Sequence, residues 1–264
     1  MKSRLFLVVL ALAVLTAGSA WAKVEGKEVE YRAGETVLKG YLALDPRFLG
    51  KRPAVLVVHE WWGRNDYARR RAEMLARMGY VALAVDMFGN GKTAQHPADA
   101  ARFASEAMKD KTVAEARFTA AVDFVRAQPT VDPSKVAAIG YCFGGGVVLQ
   151  MARLGADLKG VVSFHGSLAT DAPARPGSVK ARVLVFTGEN DAMVPAPQVA
   201  AFTEEMKKAG ADFRVVTYPG ARHSFTNPDA NNLARTFNLP LEYSFKADQD
   251  SWGQTITFLG EIFR

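Results

Sequence analysis

The sequence predicts an α/β fold, with a mostly parallel, twisted sheet of about seven or eight strands and helices on both faces. Short apolar runs, typical of strands buried on both faces, alternate with amphipathic helical patterns along most of the chain. Beyond an N-terminal apolar segment, roughly 240 residues remain, a length that one α/β domain with a single large core fills. The sequence shows no internal repeat and no low-complexity linker. We therefore expect a single domain.

The first 22 residues have the pattern of an export signal. Two basic residues precede an apolar run at residues 5–16, and small residues flank a cleavage point at residues 20–22. The alternative is a membrane anchor, but the apolar run is shorter than the roughly 20 residues that a spanning helix needs. We expect residues 1–22 to be removed and residues 23–264 to form a periplasmic or secreted domain without membrane association.

The mature chain is only mildly basic. Removal of Lys2 and Arg4 reduces the 33 lysines and arginines to 31, against 27 acidic residues, so the net charge falls from +6 to +4. This charge is too small to indicate a nucleic-acid partner. The basic triplet at residues 69–71 lies in a helical pattern close to Glu73, and we interpret it as a solvated helix face.

The predicted elements follow one another in a regular order. Alternating apolar and polar residues at 28–31 and 36–44 flank a turn and predict a hairpin at the sheet edge. The buried strands are predicted at residues 54–58, 80–85, 135–139, 160–164 and 182–186. The helices between and after them are predicted at residues 66–78, 99–128, 143–154 and 197–209. A strand at residues 212–218 and a helix at residues 248–262 complete the series.

A glycine-rich turn contains the only cysteine of the chain. Gly140-Tyr-Cys142-Phe-Gly144 lies between a predicted strand and a predicted helix, which is the context of a nucleophile elbow. The turn aims the thiol at a helix N-terminus, whose partial positive charge favours the thiolate. The alternative is a small buried cysteine beside a tight turn. A lone cysteine cannot form an intrachain disulfide, so its place in an exported chain favours a chemical role.

Two further residues complete a predicted catalytic triad. In hydrolases with this elbow, an acid and then a histidine follow the nucleophile after later strands. Asp191 follows the strand at residues 182–186, and His223 follows the strand at residues 212–218. Both therefore lie at the carboxyl ends of strands, on the same rim of the sheet as Cys142, where open α/β sheets bind ligands.

Three other residues compete for these roles. His59 and His165 also follow strands, but both precede the acid in chain order, and we interpret them as packing or supporting residues. Glu189 is the rival of Asp191. We favour Asp191 because its loop ends in a turn-forming Val-Pro pair.

Backbone groups are predicted to stabilise the oxyanion of an acyl-transfer reaction. The usual donors are the N–H after the nucleophile and one N–H from an earlier strand-to-helix loop. These are the N–H groups of Phe143 and Trp61 in this chain. Each such donor is worth a factor of about 10² to 10³ in rate.

Four motifs indicate a family. They are His59-Glu60-Trp-Trp-Gly63, Asp86-Met-Phe88, the Gly-Tyr-Cys-Phe-Gly-Gly segment from Gly140, and His223-Ser-Phe225. Together they resemble the dienelactone hydrolase family, from about residue 41 to the C-terminus. The resemblance implies an α/β-hydrolase fold, a small-molecule ester or lactone substrate, and a triad of Cys142, Asp191 and His223.

The resemblance also implies a role for Glu60. Its position matches a family glutamate that contacts the resting thiol and helps it to lose its proton. Burial at a partly apolar rim raises the pKa of a glutamate, as such a proton acceptor requires. A zinc-binding HExxH motif is excluded because residue 63 is glycine, although an ordinary carboxylate at a helix start remains an alternative. We expect no metal and no cofactor.

The expected substrate site departs from the family pattern. The family uses arginines to hold the carboxylate of its substrate, one of them four residues after the triad histidine, where this chain has Asn227. An amide cannot form a charged bidentate clamp, although Arg102 or Lys92 could supply charge nearby. Aromatic residues at the rim favour an apolar or aromatic substrate, with core packing as the alternative. The predicted substrate-binding residues are Trp62, Phe88, Phe225 and Asn227.

The resulting hypothesis is a monomeric esterase or lactonase that forms a thioester acyl-enzyme. One alternative is a non-hydrolytic protein that binds a small ligand or captures a thiol-reactive electrophile. Another is a peptidase or acyltransferase on the same fold.

Overall fold

The computed structural model describes residues 24–264, so the predicted export signal lies outside the described residues. Within this range the chain forms eight strands and seven helices. The strands are β1 (Glu25–Ala33), β2 (Thr36–Leu44), β3 (Arg52–Val58), β4 (Val81–Val85), β5 (Val131–Tyr141), β6 (Gly160–Phe164), β7 (Arg182–Gly188) and β8 (Phe213–Tyr218). The helices are α1 (Asp66–Ala76), α2 (Pro97–Lys109), α3 (Lys111–Arg126), α4 (Phe143–Arg153), α5 (Ala196–Ala209), α6 (Ala230–Phe237) and α7 (Phe245–Ile262).

All eight strands join one sheet in the order β1-β2-β4-β3-β5-β6-β7-β8. The β1–β2 hairpin is antiparallel and attaches antiparallel to β4, whereas every pair from β4 to β8 is parallel. The carboxyl ends of β3, β5, β6, β7 and β8 therefore open on one rim. This topology confirms the predicted fold class and its edge hairpin.

The sheet separates two apolar clusters because successive side chains of a strand point to opposite faces. In β3, Leu56 and Val58 belong to the cluster that packs against α3, α4 and α5. Val55 and Val57 belong to the cluster covered by α1 and α7. Burial on both faces explains why the central strands are continuous apolar runs in the sequence.

The helical predictions were wrong at three places. The single helix predicted for residues 99–128 is two helices, because Asp110 is extended (φ −117°, ψ 109°) and its side chain accepts a hydrogen bond from the N–H of Thr112. Aspartate in this position caps and starts a new helix. Helix α6 was not predicted, and α7 begins at Phe245, where the side chain of Ser244 caps it.

The interpretation of the basic triplet as a solvated face was wrong for Arg71. Arg71 is four residues after Tyr67 and four before Leu75, which places the three on one side of α1, and all three are buried. The Arg71 guanidinium forms an ion pair with Asp248 of α7, with side chains only 5% and 7% exposed. Helices α1 and α7 are therefore joined by a buried charge pair.

No helix within residues 24–264 combines the length and the apolar character needed to cross a bilayer.

Candidate active site

Cys142 lies at a strained turn between β5 and α4. Its φ of 51° and ψ of −114° are unusual for a residue with a side chain, and backbone strain of this kind concentrates at functional sites. A Cβ on Gly140 would lie 2.1 Å from the carbonyl oxygen of Gly144, and one on Gly144 would lie 2.3 Å from that of Val58. The glycines are thus required for the turn to fit, and the turn leaves Cys142 partly exposed.

His223 and Asp191 form a hydrogen-bonded pair at the same rim. The Nδ1 of His223 and the Oδ2 of Asp191 are 2.8 Å apart, and both residues are only 3% exposed. The other carboxylate oxygen, Oδ1, accepts hydrogen bonds from the N–H groups of Met193 and Val194, at 2.8 and 3.1 Å. Because a carboxylate only accepts hydrogen bonds, we assign the proton to Nδ1, and the Nε2 of His223 is left to act as a base.

The remaining nitrogen of His223 is available to the thiol. Burial lowers the pKa of His223, but the charge of Cys142 and the hydrogen bond with Asp191 more than offset it and raise the pKa to about 10. The buried Nε2 makes no well-aligned hydrogen bond to any group of the described chain. The thiol therefore lies close enough that, once its proton has passed to Nε2, the negative charge on sulfur holds that proton on the imidazole.

The structure pairs Asp191, rather than its rival Glu189, with His223. Glu189 is exposed, and its Oε2 accepts a hydrogen bond from the N–H of Gly220, 3.1 Å away. Asp191, the acid predicted in the turn after β7, is thus placed to orient the imidazole of His223.

Glu60 is buried behind His223. Its Oε1 accepts a hydrogen bond from the Ser224 hydroxyl at 2.9 Å, and its Oε2 accepts one from the Asn227 amide at 2.6 Å. Burial raises the pKa of Glu60, although the bonds from Ser224 and Asn227 and the charges of His223 and Arg71 act against it. Glu60 thereby holds the loop that carries His223.

Asn227, a predicted substrate-binding residue, is placed differently by the structure. It is 2% exposed, and its amide nitrogen binds Glu60. Its Oδ1 accepts a hydrogen bond from the N–H of Asp229 at 3.0 Å. Both ends of the amide are therefore held by the protein, and Asn227 is a partner of Glu60 rather than part of an open substrate surface.

The two predicted oxyanion donors lie on adjoining turns. The N–H of Gly144 donates to the carbonyl oxygen of His59 at 3.0 Å, which joins the turn after β5 to the turn after β3. The N–H groups of Phe143 and Trp61 form no hydrogen bond with any group in residues 24–264. Two free backbone donors on neighbouring turns meet one requirement of an oxyanion hole, which also needs both donors to converge on one point.

The predicted aromatic residues divide between the rim and the core. Trp62 and Phe88 are each 4% exposed. The Trp62 ring contributes to a cluster with Trp61 and Phe237, and the Phe88 ring lies 5.4 Å from that of Phe143. Phe225 is fully buried in the core on the α1 and α7 side of the sheet, so its placement at the substrate surface was wrong.

Arg102 and Lys92, the two residues that could supply positive charge to the substrate, both contact other side chains. The guanidinium of Arg102 is exposed and pairs with Asp99 and Glu106, at 2.8 and 3.3 Å. The ammonium of Lys92 lies 5.6 Å from the centre of the Phe103 ring. Across the described part of the chain, no three His, Cys, Asp or Glu side chains gather as a metal site would require.

Sequence reasoning missed Ser224 and Thr226. They immediately flank Phe225 in the His223 motif, and their hydroxyls bind Glu60 and His165, respectively. The signal was a pair of hydroxyl residues next to a candidate base, but their partners are 164 and 61 residues away in the chain.

The sheet, the cysteine elbow and the acid–histidine pair define an α/β-hydrolase. The chain belongs to the dienelactone hydrolase family, whose sequence model matches residues 38–263. This finding confirms the family that the sequence motifs indicated.

Individual relatives agree with this family. The "Putative carboxymethylenebutenolidase" of Aquifex aeolicus (strain VF5) is 30% identical over 88% of this chain and 97% of its own. "Protein usf" of Aquifex pyrophilus is 29% identical over 89% of this chain and 98% of its own. The crystal structure of a dienelactone hydrolase-like promiscuous phosphotriesterase from metagenomic libraries superposes with a TM-score of 0.86 and 35% identity, covering 92% of this chain and all of the other. The chain is therefore a hydrolase that acts on small-molecule esters or lactones.

Proposed function

We propose that the protein hydrolyses its substrate by covalent acyl transfer through Cys142, His223 and Asp191, with a thioester intermediate. The observation that carries this proposal is the 2.8 Å contact between Asp191 and the Nδ1 of His223, which leaves the buried Nε2 free of any other partner. The charge of Cys142 acts on this imidazole, which puts the nucleophile near the base. An oriented base next to a candidate nucleophile is the general signature of nucleophilic catalysis.

In the first half of the reaction, the Nε2 of His223 takes the thiol proton and the sulfur forms a bond to the carbonyl carbon. The carbonyl oxygen becomes an oxyanion that accepts hydrogen bonds from the N–H groups of Phe143 and Trp61. When the tetrahedral intermediate collapses, the bond to the leaving oxygen breaks and that oxygen takes the proton from His223. The products are an alcohol and a thioester on Cys142.

In the second half, a water molecule gives a proton to His223 and its oxygen attacks the thioester carbonyl. Collapse of this second intermediate breaks the carbon–sulfur bond, releases the carboxylic acid and returns the proton to Cys142. For a lactone, the alcohol and the acid are two ends of one product.

Glu60 has a proposed role in the resting enzyme, as the acceptor that helps the thiol to ionise. Its burial and raised pKa suit that task. Both of its oxygens already accept hydrogen bonds, from Ser224 and Asn227, so a contact with the thiol would be shared with these bonds.

We propose an uncharged substrate with an apolar or aromatic group. The family's arginine is replaced by Asn227, whose amide is already bound to Glu60. The partly buried rings of Trp61, Phe103 and Phe237 border the rim and offer apolar contacts. Aryl esters and unsubstituted lactones are therefore expected to be cleaved with a higher kcat/KM than lactones that bear a carboxylate.

Replacement of Cys142 tests the mechanism. Cys142→Ala should abolish hydrolysis of a chromogenic aryl ester, whereas unchanged turnover would refute the assignment. Continuous product release by the wild-type protein distinguishes hydrolysis from a thiol-capture protein, which would release one equivalent only. Anilides and added alcohols test the peptidase and acyltransferase alternatives.

A second candidate activity is phosphotriester hydrolysis. It is favoured by the 35% identity and nearly complete overlap with a dienelactone hydrolase-like structure named as a promiscuous phosphotriesterase. The same thiol and backbone donors could act on a neutral phosphorus centre. Release of 4-nitrophenol from diethyl 4-nitrophenyl phosphate, lost in Cys142→Ala, would support this activity, and no release would exclude it.

We also propose that the mature protein is an exported, periplasmic or secreted monomer. The apolar segment at residues 5–16 and the small residues around position 22 support export. A mature N-terminus at residue 23 in the exported fraction would support cleavage, and the intact N-terminus in the cytoplasm would contradict it. Light scattering of the purified protein tests the monomer.

A further inference from the structure

His165 occupies an unusual position at the end of β6. Its φ of 40° lies in the left-handed region, which is strained for a residue with a side chain, and the residue is fully buried. Its N–H donates to the carbonyl oxygen of Phe186 on the neighbouring strand at 2.7 Å. The backbone is therefore fixed in a conformation that aims the imidazole between the cysteine elbow and the His223 loop.

Both ring nitrogens of His165 have partners. The Nδ1 accepts a hydrogen bond from the backbone N–H of Cys142 at 3.2 Å, which that N–H shares with the carbonyl oxygen of Phe164 at 3.0 Å. The Nε2 lies 2.8 Å from the Oγ1 of Thr226. Since Nδ1 is an acceptor, the proton belongs on Nε2, and His165 donates to Thr226.

The surroundings keep this imidazole neutral. Burial, together with the charges of His223 and Arg71, keeps the pKa of His165 well below its usual value. The rings of His165 and His223 have centroids 5.1 Å apart, and the ring of Tyr141 lies 6.2 Å away on another side. A second positive charge beside the His223 imidazolium is thereby avoided during proton transfer.

Thr226 connects this imidazole to a rigid part of the fold. Its Oγ1 lies 2.7 Å from the hydroxyl of Tyr67, and its carbonyl oxygen accepts a hydrogen bond from Arg71 at 2.7 Å. Arg71 is itself held by the buried pair with Asp248. The loop that carries His223 is therefore anchored three residues beyond the imidazole, through groups on α1 and α7.

We propose that His165 is a positioning residue, whose neutral ring sets the distance between sulfur and base by bridging the Cys142 amide and Thr226. This inference rests on the proposed function, because it assumes that Cys142 and His223 react together. The bridge joins the two separate segments that supply the nucleophile and the base, because Nδ1 is bonded to the Cys142 amide and Nε2 to Thr226.

Two variants break the Thr226 end of the bridge from its two sides. Thr226→Val removes the hydroxyl at nearly constant shape, and Thr226→Ser is the matched control that keeps it. His165→Asn retains an acceptor near the Nδ1 position, tolerates positive φ, and is too short to reach Thr226. The readouts are kcat and KM for an aryl ester, the pH profile of iodoacetamide alkylation, and the melting temperature.

We expect Thr226→Val and His165→Asn to lower kcat by about tenfold with little change in KM, because the substrate contacts remain. The alkylation profile should move by about one pH unit towards alkaline pH, since the thiolate loses its fixed partner. Thr226→Ser should stay within about twofold of the wild type in both readouts.

Wild-type kcat and an unshifted alkylation profile in both Thr226→Val and His165→Asn would overturn the inference. If either variant failed to fold, the other, with the Thr226→Ser control, would still decide the question. Activity in Cys142→Ala would instead refute the proposed function. An inactive Cys142→Ala combined with fully active bridge variants would refute only the role of His165.

Discussion

Asp191→Asn tests how His223 is oriented. The two backbone N–H groups that donate to the Oδ1 of Asp191 require an acceptor at that position, so an asparagine places its oxygen there. Its NH₂ group then replaces the Oδ2 that lies 2.8 Å from the Nδ1 of His223. An NH₂ group can only donate to Nδ1, so the imidazole proton moves to Nε2, the atom that must accept the thiol proton.

The expected loss follows from this change of tautomer. The equivalent substitution in a serine-based triad lowers kcat by about 10⁴, so we expect a loss of about 10³- to 10⁴-fold, or about 4 to 5.5 kcal/mol of transition-state stabilisation. The loss of the Asp191 charge also removes one of the interactions that raise the pKa of His223. Iodoacetamide should therefore alkylate the variant more slowly than the wild type at neutral pH.

The assay is steady-state hydrolysis of a chromogenic aryl ester, with the melting temperature measured in parallel. Glu189→Gln is the matched control, because Glu189 lies in the same loop and binds the N–H of Gly220 instead of His223. It should retain turnover within about twofold. An Asp191→Asn enzyme within threefold of the wild-type kcat, or equal losses in both variants, would refute the proposed orientation of His223.

Further predictions concern the buried charges. Asp248→Leu should lower the free energy of unfolding by about 3–5 kcal/mol because it leaves Arg71 unpaired, and adding Arg71→Met should recover most of the loss in urea denaturation. Burial lowers the pKa of His59 to about 4 and that of His165 well below its usual value, so below about pH 6.5 the unfolded chain binds protons that the folded chain does not. As the pH is lowered from about 6.5, the free energy of unfolding should therefore fall by about 1.4 kcal/mol per pH unit for each histidine, and for His59 this fall should end near pH 4. A free energy of unfolding that does not change over this range would contradict the prediction. Glu60→Gln should lower kcat at neutral pH by about tenfold with a small change in melting temperature, and an unchanged pH–rate profile would exclude a role for its charge.

The strand predictions succeeded because the determining signal is local. The apolar runs at residues 54–58 and 160–164 lie within β3 and β6, and burial on both faces of a parallel sheet dictates such runs. The position of Cys142 after β5 could be predicted for the same reason, since glycines at 140 and 144 are required by contacts within the turn and the adjoining strand. Because Asp191 and His223 each follow a later parallel strand, in the order acid and then histidine, they could be placed on the same rim.

The predictions failed where the partners are distant in sequence. Arg71 lies 177 residues from Asp248, and Glu60 lies 167 residues from Asn227. Neither pair has a local pattern, so Arg71 was assigned to solvent and Asn227 to the substrate. The boundary between α2 and α3 at Asp110 was missed for another reason. Aspartate is a common helix-capping residue, but the helical pattern continues on both sides of it, so the sequence indicated one long helix.

Acyl trapping tests the central claim most directly. Wild-type protein is mixed with an aryl ester at a saturating concentration, quenched in acid within the first turnovers, and analysed by intact-mass and peptide mass spectrometry. We predict a mass increase equal to the acyl group on the peptide that contains Cys142, removable by hydroxylamine and absent in Cys142→Ala. Steady turnover without any such adduct, or an acyl group attached to another side chain, would contradict the thioester mechanism.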